Sequence, residues 1–200
     1  MKRVLMVLIT GLTILTLAAC GQNEADANTI SISELTERED AILSITSEQS
    51  FVFDFNIDDE YKEAAVWIEK YEAGNLIDDK LGYMTTQAEQ KGSIIFTLSE
   101  NDSENNNSFN VGIAVDGGVS SIHGSDSNVT DLENVSIVSG SIPEKIAVDN
   151  GEVVLASISY SQDENGIQSL TTDFYEDAAG HMNELEEYEF TYLLKAEFIK

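Results

Sequence analysis

Cysteine and proline each occur once in the 200 residues, histidine twice, and basic side chains ten times against 37 acidic ones. Each scarcity excludes something. One cysteine cannot close an intramolecular disulfide or build a thiolate metal site. His123 and His181 sit neither in an H-E-x-x-H pattern nor beside a cysteine, so zinc is not indicated. Nucleic acid needs clustered Lys and Arg to neutralise phosphates, and the chain has few of either after position 3. No G-x-S-x-G elbow and no S-x-x-K pattern occurs, which removes two common hydrolase designs. Against these absences stand 42% hydrophobic and 24% charged residues, the balance of a chain that folds rather than one that stays disordered. The length suits one modest domain.

The first twenty residues are the most informative. Lys2 and Arg3 precede an apolar stretch over residues 4–17, and polar residues begin at Gly21 and Gln22. The stretch is short for a spanning helix, which needs about 20 apolar residues, and has the order of a secretory leader. Leu17-Ala18-Ala19-Cys20 follows it. This segment resembles the lipobox of bacterial lipoprotein precursors. The resemblance implies removal of residues 1–19 and a diacylglycerol thioether on Cys20, which becomes the mature N-terminus. Cleavage would take Lys2 and Arg3 but no carboxylate, moving the formal charge from -27 to -29. The expected location is the extracytoplasmic face of the cell membrane, held by lipid, since two acyl chains anchor firmly where one does not.

Residues 21–33 are polar and without apolar period, so residues 20–33 read as the lipidated N-terminus and tether, and residues 34–200 as a single domain. Thr36 and Glu39 match a capping box, with Ala41, Ile42 and Ile45 on one helical face, predicting a short helix over residues 37–44. From residue 50 the period becomes two. Phe51, Phe53, Phe55 and Ile57 alternate with Val52, Asp54 and Asn56, and the same spacing recurs in Ile94, Phe96 and Leu98, then in Phe109, Val111, Ile113 and Val115, and finally from Tyr188 to Phe198 in steps of two. Further strands are predicted over residues 64–71, 82–88, 135–142, 153–160 and 167–175. Ala73-Gly74-Asn75, Asp116-Gly117-Gly118, Asn150-Gly151 and Asn165-Gly166 supply hairpin turns. The expected fold is all-β, a two-layer antiparallel β-sandwich, immunoglobulin-like or related, with one short N-terminal helix. The globular part resembles small lipoproteins of monoderm bacteria, a resemblance that carries no motif with an activity.

Candidate chemistry is sparse. Ser121, His123 and Asp126 contain triad residue types, but neighbours in sequence rarely hold triad geometry. Abundant carboxylates hide any glycosidase pair. Calcium is the one cofactor the composition favours, because acidic loops supply its oxygen ligands; Asp126, Asn128, Asp131 and Glu133 form the chosen set. Trp67 and Tyr71, four apart on one strand and so on one face, are the candidate ligand-binding pair, able to stack on sugar rings if exposed. Ala64, Val66 and Ile68 on the other face are apolar too, so alternation leaves the inward side open. The expectation is therefore a non-enzymatic binding or interaction module of the cell envelope, its partners the membrane through the anchor and a cell-wall glycan or envelope protein. Alternatives are a calcium-stabilised structural surface protein and a carboxylate-dependent envelope hydrolase.

Overall fold

The computed structural model describes residues 27–101, 106–126, 135–148, 151–162 and 166–200. In chain order the described elements are β1 (Thr29–Ile32), α1 (Glu37–Thr46), β2 (Gln49–Asn56), β3 (Glu63–Glu72), β4 (Asn75–Gln87), β5 (Lys91–Asn101), β6 (Asn106–Val115) and β7 (Gly118–Asp126). Then come β8 (Ser136–Ser141), β9 (Ile146–Ala147), β10 (Glu152–Ser161), α2 (Thr172–Glu176), α3 (Ala178–His181), a 3-10 segment (Met182–Glu187) and β11 (Phe190–Ile199). The strands form two sheets, ordered β7-β6-β5-β2-β1-β9 and β4-β3-β11-β10-β8. Every pairing is antiparallel. The chain is a β-sandwich, as its two-residue periods require.

Those periods place the core. Phe53, Phe55, Ile94, Phe96, Leu98, Phe109, Val111 and Ile113 line the inner face of the first sheet. Val66, Ile68, Ile158, Tyr160, Tyr192, Leu194 and Phe198 oppose them from the second. Edge-to-face pairs such as Phe55 with Phe198, 5.0 Å apart, and Phe109 with Tyr192, 4.9 Å apart, cross the interface between the sheets. Two hairpins close as expected on two-residue turns: Ala73 and Gly74 have φ of 45° and 77°, Asp116 and Gly117 of 45° and 76°, the mirror-image turn that matches strand twist.

Helix α1 carries the full capping box. The Thr36 hydroxyl accepts from the Glu39 amide at 3.3 Å, and Glu39 accepts from the Thr36 amide at 2.8 Å. That backbone bond holds the Glu39 carboxyl below its usual range. The apolar face of α1 is not turned to the core: Ile42 is 51% and Ile45 84% exposed.

Three local expectations need correction. The tether does not extend to residue 33: β1 starts at Thr29, pairs with β2 and β9, and buries Ile30 completely. Four residues with one inward apolar side chain are too short for alternation to register. Residues 167–175 are not a strand. The Thr171 hydroxyl caps the Phe174 amide at 3.3 Å, and Glu184 grips Thr171 through its amide and hydroxyl, so the chain turns into α2. Leu170, just ahead of α2, and Phe174 within it are both buried. Residues 118–126, which run from the turn residue Gly118 to the expected loop ligand Asp126, are strand β7. Its inward positions Ser120, Ile122 and Gly124 offer one large apolar side chain, too few for alternation to show. A Cβ on Gly124 would lie 3.7 Å from the backbone of Gly82 in β4. Among the described residues no helix is long and apolar enough to cross a membrane.

Candidate functional site

The outward face of the second sheet is where Trp67 and Tyr71 lie. Ala64, Val66 and Ile68 take the inward positions of β3, with Ile68 against Phe51 and Phe96, so Trp67, Glu69 and Tyr71 must point away from the core. They are nevertheless buried, at 4%, 7% and 7% exposure. The helical stretch from Thr172 to Glu187 packs on this sheet, with Tyr175 bonded to Ser157 at 2.8 Å. Burial pushes the Tyr175 phenol up to about 12, keeping it a neutral partner. Trp67 packs beside Tyr83, and Lys195 sits 5.9 Å from its ring centre.

Glu69 is the hub of this layer. Its carboxylate accepts from Tyr71 Oη at 2.7 Å, from Trp67 Nε1 at 3.3 Å and from Lys195 Nζ at 2.9 Å. Lys195 also reaches Glu152 at 2.9 Å. Burial opposes charge on Lys195, but its hydrogen bonds to Glu152 and Glu69 outweigh that and raise its pKa. Sugar stacking needs an open ring face, and neither Trp67 nor Tyr71 has one. The expected aromatic row is corrected to a buried layer whose polar ends satisfy one carboxylate.

The calcium set is altered as well. Asp126, the last residue of β7, points inward and is 6% exposed. Lys70, which continues the inward period of β3, meets it at 2.8 Å, and Tyr192 Oη donates to the same carboxylate at 2.8 Å. Burial, then the neighbouring Asp126 charge, drives the Tyr192 phenol far above its ordinary range, so it stays a donor. Asn107, wholly buried, donates to the hydroxyls of Tyr160 and Tyr192 at 3.3 Å each. Asp126 is thus held inside by an ammonium and a phenol and is not offered to a loop cation. Asn128, Asp131 and Glu133 lie outside the described residues. Among the described residues no three His, Cys, Asp or Glu side chains group as metal ligands. Ser121 and His123 face outward, opposite to Asp126, and His123 bonds Asn110 at 3.2 Å instead. The three triad residue types are not brought together.

Among the described residues, two concavities open on the surface. A cleft of about 510 Å³ lies between β10 and the α2–α3 corner, bordered by Glu152, Val153, Lys195, Glu176 and Ala178. A larger trough, about 650 Å³, crosses the outward face of the first sheet at the end where β1 begins. Thr29, Asp54, Ser93 and Ala114 come from its strands, Asp116 from the β6–β7 turn, and Lys91 and Lys145 bring two ammonium groups to it.

The span of the two sheets, from the first residue of β1 almost to the last of β11, coincides with a family model: the YgaN domain model matches residues 29–198. The chain belongs to the YgaN domain family. No curated protein and no solved structure matches it. The YgaN domain therefore begins at β1, inside the stretch assigned to the tether from sequence. Within it, sequence reasoning missed Lys70 and Tyr192. The signal was present for Lys70, since position 70 continues the inward series of 64, 66 and 68. Lys91 and Lys145, 54 positions apart, carried none. Only the register of β1 between β2 and β9 brings their strands to one trough. Cys20 lies outside the described residues.

Proposed function

We propose that this YgaN-domain chain is a lipid-anchored extracytoplasmic protein of the cell envelope that works by binding rather than by catalysis. The observation that carries the reading is Leu17-Ala18-Ala19-Cys20 behind a charged start and an apolar stretch. The position of the domain supports it. Thr29 follows Cys20 by nine residues, and an extended chain of that length reaches about 30 Å. The YgaN domain thus has slack to stand off an acyl anchor, which supplies the membrane retention by itself. A mature charge of -29 keeps it off anionic lipid, and steers it toward partners at the surface rather than into the bilayer. The partner class is a cell-wall component or another envelope protein.

A membrane wash tests this reading. Native protein is expected to stay in the membrane fraction through high salt and alkaline carbonate and to leave only with detergent. Release by salt alone would mean that charge, not acyl chains, holds it there.

A further inference from the structure

We propose that the trough on the outward face of the first sheet is a binding site for a zwitterion that joins a phosphate to an ammonium group. The argument starts from charge. At physiological salt, interactions beyond about 8 Å are largely screened, so a surface site responds to the groups that line it more than to the total charge. The chain as a whole is strongly acidic, but the trough is balanced: Lys91 and Lys145 line it together with Asp54 and Asp116. A ligand of either sign alone meets a like charge inside it. One that carries both signs a few atoms apart finds a partner for each.

The lining narrows the class further. Phe55 is the one aromatic residue in it, and at 2% exposure it offers no ring face for a pyranose to stack on. What the trough does offer is hydroxyl groups and ammonium donors. Ser93 donates to Asp54 at 2.6 Å, which fixes that carboxylate on the floor with a second oxygen still able to receive an ammonium. Lys91 and Lys145 bring compact ammonium charges of the kind that suits phosphate. A volume of about 650 Å³ lies in the range of small-molecule sites and exceeds what a phosphate and an amine need, leaving room for the linker that joins them.

Thr29 lines the trough, so the site sits where the tether leaves the domain. This placement near the membrane surface rests on the proposed anchor, whereas the ligand chemistry does not. Two sources share that chemistry: a phosphoethanolamine lipid headgroup, and a polyol-phosphate polymer bearing amino-acid esters.

The test uses the full chain purified in a maltoside detergent and O-phosphorylethanolamine as probe, titrated by calorimetry or by NMR. Native protein is expected to bind it, with inorganic phosphate and ethanolamine each at least about tenfold weaker, a full decade in Kd. The double variant Lys91→Gln/Lys145→Gln and the single variant Asp54→Asn are each expected to lose about tenfold, while Lys80→Gln, outside the trough, binds as native does. Unchanged melting temperatures exclude unfolding as the cause. Nanodiscs of phosphatidylethanolamine and a soluble aminoacylated glycerol-phosphate polymer then compete with the probe, and competition by either one supports the site and names its source. The proposal is overturned if inorganic phosphate binds as well as the probe, if the double variant binds like native protein, or if neither source competes. Because binding is read in detergent, it can fail while the membrane wash still succeeds, and the reverse.

Discussion

Lys70→Met is expected to destabilise the domain by about 3–5 kcal/mol in urea or guanidinium unfolding, the cost of leaving a buried carboxylate without its counter-ion. Lys70 and Asp126 are 3% and 5% exposed at the side chain and 2.8 Å apart, so water cannot replace the lost ammonium. Tyr192 still donates to Asp126, but one phenol does not neutralise a charge. The double variant Lys70→Met/Asp126→Leu is expected to recover much of the loss, because removing both charges ends the desolvation cost as well as the attraction. A single variant that unfolds within about 1 kcal/mol of native would show that Asp126 finds water or another cation, and that the pair does not hold the two sheets at this end. The pair joins β3 of one sheet to β7 of the other, close to where Gly82 and Gly124 bring the sheets together. Its loss therefore acts on the sandwich and not on a single hairpin.

The second large effect is on location. Cys20→Ser removes the atom to which lipid would be attached, and the protein is expected to move from the membrane fraction to the soluble extracytoplasmic fraction or the medium. Burial of each methylene contributes about 0.8 kcal/mol, so two acyl chains account for membrane retention many orders above what a surface contact provides. Nothing in the acidic domain replaces that. Its exposed apolar side chains on α1, Ile42 and Ile45, stand beside Glu37, Glu39 and Asp40, which oppose insertion at an anionic surface. Equal membrane retention of native protein and the Cys20→Ser variant would place the anchor elsewhere.

How much of this was legible in the sequence depends on which side chains face which way. Strands β2, β5, β6 and β11 were legible because large apolar residues alternate over three or more steps, as in Phe51, Phe53 and Phe55. Strand β7 was hidden because its inward positions Ser120, Ile122 and Gly124 hold a single large apolar side chain, too few for alternation to show. Residues 167–175 misled because Ile167, Thr171 and Tyr175 also fit a half-buried strand, and the Thr171 cap depends on Glu184, 13 positions away. At the candidate sites the same limit holds. Trp67 and Tyr71 were found, but a strand period cannot reveal that both rings are buried on the outward face. Asp126 was read as a loop ligand because its partner Lys70 is brought to it by sheet packing, not by sequence distance. The trough is assembled from five separated stretches and left no local pattern at all.

The central claim is covalent, and mass spectrometry of the N-terminal peptide of the native protein tests it most directly. The account predicts a peptide that begins at Cys20, lacks residues 1–19 and carries a diacylglycerol mass on sulfur. A peptide that still contains Ala18-Ala19-Cys20 with a free thiol would contradict it.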